Sequence, residues 1–263
     1  MATPTEMRDI TSEISGTSVG DLRWMTGVQA RMDDLIVDSW PEFMLADEVA
    51  HRHWHQLYET FSEFQFALVE PDGETVVAAG NSLPLAWDGD PGELPDEGWD
   101  WALARGFEDQ AAGRGARILC ALSITVGSGY RGKGISAQMV KAMRSIGRFH
   151  GFGSLIAPVR PNLKSQYPLI PMGNYASWQN EKGLPFDPWM RVHSRLGARI
   201  AKVCEHSMII RGTATDWHQW TGLHFPESGD YVVPGGLTPM EMDRKTDCGQ
   251  YLEPNVWMIH DLE

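Results

Sequence analysis

Residues 126–136 read V-G-S-G-Y-R-G-K-G-I-S, with four glycines set around Arg131 and Lys133. A glycine turn with cations at the start of a helix offers free backbone N–H groups and a favourable dipole to a phosphate. Three anion-binding spacings overlap here. Gly127, Gly129 and Gly132 spell G-x-G-x-x-G, and Gly127, Gly132 and Lys133 spell G-x-x-x-x-G-K. Arg131, Gly134 and Ser136 fall one residue short of R-x-x-G-x-[G/A]. A second set of chemistry-bearing residues is H-R-H-W-H, with His51, His53 and His55. Histidines at i and i+4 of a helix can share a metal, but no cysteine or acid stands at a matching third position, so a solvated or cap-forming face is expected.

The charge distribution points to the same loop. No Asp or Glu occurs from Gln110 to Asn180, a stretch with nine basic residues. The formal net charge is −13, so the remainder of the chain carries −22. A basic block inside an acidic protein suits a small anionic ligand better than nucleic acid or an anionic membrane, which the remainder would repel. No apolar run approaches a membrane span. Three well-separated cysteines and no secretory signal at the N-terminus imply a reducing, cytoplasmic setting.

The elements that must position these residues follow from periodicity. Helices are expected at 27–38, 46–60 and 99–111. Strands at 63–70 and 74–86 form an antiparallel pair about Pro71-Asp72-Gly73. Residues 116–126 read as a buried strand leading into the glycine loop. A helix follows, with Ile135, Met139, Ala142, Met143, Ile146 and Phe149 on one face. A strand at 154–159, a helix at 187–196 stopped by Gly197, and a strand at 198–210 come next; the last fifty residues are Trp- and Pro-rich strand and loop. The whole chain, 1–263, reads as one domain with a loose N-terminus (1–18), insertions at 88–112 and 163–190, and a C-terminal extension at 212–263.

Two of the three loop readings lack their accessories. A P-loop requires Ser or Thr after the lysine for magnesium, and that residue is Gly134. A dinucleotide site requires an acid at the end of the next strand, and that strand ends Pro158-Val159-Arg160. The third reading has a context. The stretch from Val126 to Ser136 resembles motif A of the GCN5-related N-acetyltransferase (GNAT) superfamily, V-x-P-x-Y-R-G-K-G-I-G. It departs at Ser128 and Ser136, and the likeness extends over about 60–210.

This resemblance implies an α+β fold: a mixed, mostly antiparallel sheet with a splayed strand pair and helices on both faces. It implies an acyl-CoA cosubstrate, acetyl-CoA or another, with its diphosphate on the amides of Gly132, Lys133, Gly134 and Ser136 beside Arg131 and Ile135. Its pantetheine would lie along Ile124 and Val126 and near Asn162. His193 falls where the family places the tyrosine that protonates the leaving thiolate, and imidazole titrates near neutrality. Tyr175, Tyr167 and Tyr231 compete for that role. The family's strand glutamate is missing, which leaves the base to a water chain held by Ser123 or Thr125, or to Asp187, Glu253 or His260. The implied activity is direct N-acyl transfer to a small-molecule amine. A non-catalytic acyl-CoA sensor and a transferase using a carrier protein or aminoacyl-tRNA donor are the alternatives, and a homodimer is left open. Aromatic segments at 165–190 and in the tail suit a pocket wall, and the −22 remainder suggests a cationic acceptor.

Overall fold

The computed structural model describes residues 18–21, 27–71 and 74–262. The expected loose N-terminus, apart from Ser18, and Asp72-Gly73 of the expected turn lie outside them. The strands are β1 (Ser18–Asp21), β2 (Gln65–Val69), β3 (Val76–Leu85), β4 (Ile118–Val126), β5 (Ser154–Val159), β6 (Arg199–Gly212), β7 (Gly229–Tyr231), β8 (Met240–Asp243) and β9 (Cys248–Asp261). The helices are α1 (Val28–Val37), α2 (Glu48–His53), α3 (Leu57–Thr60), α4 (Gly98–Ala111), α5 (Ile135–Phe149), α6 (Met172–Ala176), α7 (Pro188–Arg195) and α8 (Ala214–Thr221). The nine described strands form one sheet in the order β1-β2-β3-β4-β5-β9-β8-β7, with β6 also on β9. Every pair is antiparallel except β4–β5.

The parallel pair makes the cleft. β4 and β5 match only over Ile118–Cys120 against Ser154–Ile156, and then separate. Two residues explain where. Opposite Asn81 and Ser82 of β3, β4 pairs Ser123 and Ala121 and leaves Leu122 as an extra, bulged residue. A bulge bends its strand, and the Leu122 carbonyl is taken by the indole Nε1 of Trp99 at 2.9 Å. On the other side, Pro158 of β5 has no N–H for a ladder, which suits a strand edge without a partner.

β9 is the least expected element. It runs fourteen residues, pairs with both β5 and β6, and buries Trp257 completely. The expected C-terminal extension thus supplies a central strand, and residues 213–247 between β6 and β9 carry α8, β7 and β8. The expected helix at 46–60 is broken into α2, a 3-10 turn at Trp54–Gln56 and α3, because His53 leaves helical geometry at φ −120°. The His53 ring stacks on Phe107 at 4.9 Å. Phe149 departs from the buried stripe of α5 and is 42% exposed, whereas Met139, Ala142, Met143 and Ile146 pack inward.

A buried carboxyl pair links three elements. Asp47 caps α2 by accepting from Ala50 N at 2.7 Å, and Asp100 of α4 accepts from Ile209 N of β6 at 3.3 Å. Burial first, and the facing Asp47 second, push Asp100 up to about 8. Between the ordinary 3.8 and that value, the folded chain holds a proton that the unfolded chain has lost. Stability therefore falls as pH rises through this window. Thermal melts at about pH 6 and about pH 9 should show a clear loss in the native protein and a smaller one in Asp100→Asn, whose amide keeps the contacts without titrating.

Candidate active site

The opening between β4 and β5 is a cavity of about 710 Å³. Its floor is the unpartnered edge of β4 from Ala121 to Val126, facing Ala157–Arg160 of β5 and the following Asn162. Arg131, Gly132, Gly134, Ile135 and Ser136 close one end. The other walls are Ser39, Trp40 and Pro41 after α1, Trp99 of α4, Trp189 and His193 of α7, Met208 of β6 and Asn255 of β9.

The glycine loop is shaped as an anion cradle. Gly132 and Gly134 sit at φ 77° and 78°, the left-handed region that glycine enters without strain. Gly134 is the N-cap of α5 with no side-chain cap. The backbone N–H groups of Gly132, Lys133, Gly134, Ile135 and Ser136 meet no acceptor among the described residues. Arg131 is steadied by its Nε on Val126 O at 3.1 Å and by Nη2 near Ser39 Oγ at 3.5 Å. Of the nine expected cofactor residues, Ile124, Val126, Arg131, Gly132, Gly134, Ile135, Ser136 and Asn162 line the cavity. Lys133 does not; its Nζ lies 5.1 Å from the Tyr130 ring centroid.

The three expected catalytic residues separate. His193 lines the cavity but is 1% exposed, and burial with the neighbouring His260 pushes its pKa down to about 3. The near-neutral acid expected from sequence is therefore a neutral imidazole. Tyr175 and Asp187 are not on the cavity wall. The Tyr175 hydroxyl donates to Asp187 Oδ2 at 2.9 Å, and burial raises its pKa further above the usual phenol value. Asp187 also accepts from Leu163 N, Trp189 N and Met190 N. It is the cap of α7, with both oxygens committed, and the residue that aims Trp189 and His193 at the cleft.

The aromatic wall is narrower than expected. Tyr167, Tyr175, Trp178 and Phe186 pack on one another, so the rings of the 163–190 segment form a core of their own, and Trp189 alone of its aromatics reaches the cavity after Pro188. No acid lines the cavity among the described residues; its charges are Arg131 and Arg160. The acidic surplus of the rest of the chain is thus not gathered at the site. Arg160 is held by Glu253 at 2.6 Å, a fully buried carboxylate whose partners also include Tyr251. Glu253 and His260 both stand behind the wall. Ser123 and Thr125 do line it, with hydroxyls 3.2 Å apart. Arg144 and Arg148 of α5 hold the carbonyls of Leu196 and Leu262 at 2.8 and 3.0 Å, which ties that basic face to the fold.

No protein-family model matches the chain. The arginine N-acetyltransferase avaD of Aspergillus versicolor is 32% identical over 249 residues, 85% of each chain. Among solved structures, the loading GNATL domain of CurA from Lyngbya majuscula aligns with a TM-score of 0.53 and 16% identity over 88% of this chain and 94% of that one. The GphF GNAT-like decarboxylase in complex with isobutyryl-CoA aligns at 0.51 and 14% identity over 100% and 97%. These two likenesses are of fold. A mixed sheet split at one parallel pair, with a glycine loop and helix at the split, is the architecture of the GNAT class. The chain belongs to the GCN5-related N-acetyltransferase superfamily. It is an acyl-CoA-dependent N-acyltransferase, with an acyl-CoA as cosubstrate and an amine as acceptor. No helix among the described residues is long and apolar enough to cross a membrane.

Proposed function

We propose that acyl-CoA lies in the β4–β5 opening with its diphosphate on the free amides of Gly132–Ser136 and beside Arg131. Its pantetheine arm runs along Ile124–Val126 toward Asn162, and its thioester reaches the bulge at Leu122. The observation that carries this reading is the continuity of a β4 edge without a partner strand past Cys120 and a row of N–H groups at the start of α5 that meet no acceptor among the described residues. Gly132, Lys133 and Gly134 are exposed, so these amides are open to an anion, and a diphosphate with an amide-bearing arm supplies the complement.

The acceptor is proposed to be arginine or an arginine-like amine, on the strength of the relative's activity. It enters past Trp40, Trp99, Met208 and Asn255. Among the described residues no carboxylate lines the wall to pair with a protonated amine, so the reacting amine nitrogen, as distinct from an arginine's always-charged guanidinium, arrives as the free base, against aromatic faces and the Asn255 amide. Ser123 and Thr125 sit where they can hold a water beside it. Transfer then depends on proximity and on oriented backbone donors along the bulged strand.

Calorimetric titration with CoA tests the seat, and thiol release in the presence of acetyl-CoA and an amine panel tests the transfer. Saturable heat and turnover on arginine-like amines are expected, with rate rising with pH as the acceptor loses its proton. Turnover confined to alcohols or acids, or CoA heat without thiol release on any amine, would contradict the reading.

A further inference from the structure

Two cations, Arg131 and Arg160, line the cavity. Arg131 stands beside the glycine loop, with Nε on Val126 O and Nη2 near Ser39 Oγ. Arg160 follows directly on β5 and lies beyond Cys120 and Ile156, the last matched pair of the split. It therefore stands in the opened part, as the bulged Leu122 does. A chain of polar contacts ties it to the wall carrying Trp99. Arg160 pairs with Glu253, and Asn255 Nδ2 lies 3.4 Å from Glu253 Oε1. Asn255 Oδ1 accepts from Ser207 Oγ at 2.6 Å, and Ser207 Oγ accepts from Trp99 N at 2.8 Å. Arg160 thus belongs to the side of the cavity that holds Trp40, Trp99 and Asn255, where the acceptor is proposed to enter.

The guanidinium is held along one edge. Its Nε lies 2.6 Å from Oε1 of the fully buried Glu253, and Nη2 donates to Gly235 O at 2.7 Å. Its Cζ is 6.0 Å from the Trp40 ring centroid, and Glu253 is itself fixed by the Tyr251 hydroxyl. No acceptor meets Nη1 among the described residues, and whereas Nε is an enclosed atom, Nη1 is not. A guanidinium carries five N–H donors in a rigid fork. Both donors of Nη1 and the second of Nη2 are left over, and they form the edge that a carboxylate takes with two parallel hydrogen bonds.

We propose that Arg160 binds the carboxylate of the acceptor, which makes the acceptor an amino acid acylated on its α-nitrogen, and that Glu253 is the residue that positions the Arg160 fork. The proposal rests on the acyl-CoA reading of the cleft and names the class of acceptor within it. A wall that carries a cation and, among the described residues, no carboxylate repels an ammonium group and draws an anion. An amino acid supplies that anion and, as its free base, a nucleophile on the adjoining carbon. With the carboxylate anchored on Arg160, the α-nitrogen is two bonds away, in the same opened stretch as the bulge that the thioester is proposed to reach. The faces of Trp40 and Trp99 suit the acceptor's side chain, a cationic one included. In the transfer the α-nitrogen lone pair forms the C–N bond as the C–S bond breaks. Sulfur keeps that electron pair, and the proton shed by nitrogen balances the thiolate.

Thiol release from acetyl-CoA by the native protein, with arginine, argininamide and agmatine as acceptors and with the matching trios of lysine and phenylalanine, tests this without any variant. The decarboxylated amines lack the anion. The amides replace it with a neutral group and have the less basic α-amine, so slower turnover of an amide is not an effect of protonation. For the preferred trio, kcat/KM for the amino acid is expected to exceed that for its amide and its decarboxylated amine by about a hundredfold, the size of two charge-assisted hydrogen bonds. Fragmentation of the product in a mass spectrometer should place the acetyl group on the α-nitrogen. Arg160→Lys keeps a cation for Glu253 but loses the fork. In that variant the preference should fall below about tenfold, through a raised KM for the amino acid with kcat within about threefold, while CoA heat stays within about twofold. Glu253→Gln should lower the preference partway. Equal turnover of an amino acid and its decarboxylated amine, turnover confined to amines without a carboxylate, an unchanged preference in Arg160→Lys, or loss of CoA heat in that variant overturns the carboxylate anchor and leaves acyl transfer in place. Absence of CoA heat, or of thiol release with every amine, in the native protein overturns the acyl-CoA reading itself.

Discussion

Replacing Ser136 by Glu should raise the KM for acyl-CoA at least about a hundredfold and abolish saturable CoA binding at ordinary concentrations, while the melting temperature stays within a few degrees. Ser136 is in the first turn of α5, whose N-cap, Gly134, offers no side-chain acceptor. A carboxylate in that turn is favourable for the helix itself, about 0.3–1 kcal/mol, because it answers the dipole and the free N–H groups. The same carboxylate competes for the amides proposed to hold the diphosphate and repels its charge. Each charge-assisted hydrogen bond lost is worth about 1.5–3 kcal/mol, so two of them account for the hundredfold effect. The variant thus separates fold from binding: circular dichroism melts report the first and calorimetry the second. A Ser136→Glu protein that saturates with CoA normally would place the diphosphate elsewhere.

Asp187→Ala should be the most damaging single change to stability, about 3–5 kcal/mol, the range for removing one partner from a buried polar network. Four donors converge on this carboxylate: the amides of Leu163, Trp189 and Met190, and the Tyr175 hydroxyl. Truncation leaves all four unpaired in a site that is 1% exposed. It also removes the cap of α7, so Trp189 and His193 lose their aim at the cleft. At about 2–4 °C per kcal/mol for a chain of this size, a drop of roughly 10 °C is expected. Asp187→Asn should recover part of it, since one amide oxygen still caps the helix. Melts of the two variants check this, and a change under about 2 °C for the alanine would mean that the four contacts do not hold in solution.

How much of this was legible in the sequence depends on the range of the interactions. The glycine loop was, because Gly132, Gly134 and Arg131 act through local backbone geometry and stand at fixed spacings. So were α5, β5 and α7, whose periodicity and stop signals (Gly151, Gly197) are contained in a dozen residues each. β9 was not, since its burial from Glu253 to His260 is continuous rather than alternating and Pro254 argues locally against a strand; only its partners β5 and β6 make it one. The break at His53 depends on a ring stacked against Phe107, fifty-four residues away in the chain. For Tyr175 and Asp187 polarity near a motif looks the same in sequence whether a residue faces a substrate or, as here, one another and a helix end. The place of His193 on the cleft wall is legible, but its charge state is not, because that depends on His260 sixty-seven residues further on.

The place of the diphosphate decides whether the β4–β5 opening is the cofactor seat. A crystal structure of the protein with CoA tests this most directly. Both phosphates are expected within hydrogen-bonding distance of the Gly132–Ser136 amides, with the pantetheine threaded between β4 and β5. Phosphates resting on another surface, or a β4–β5 opening that stays empty with CoA bound, would contradict it.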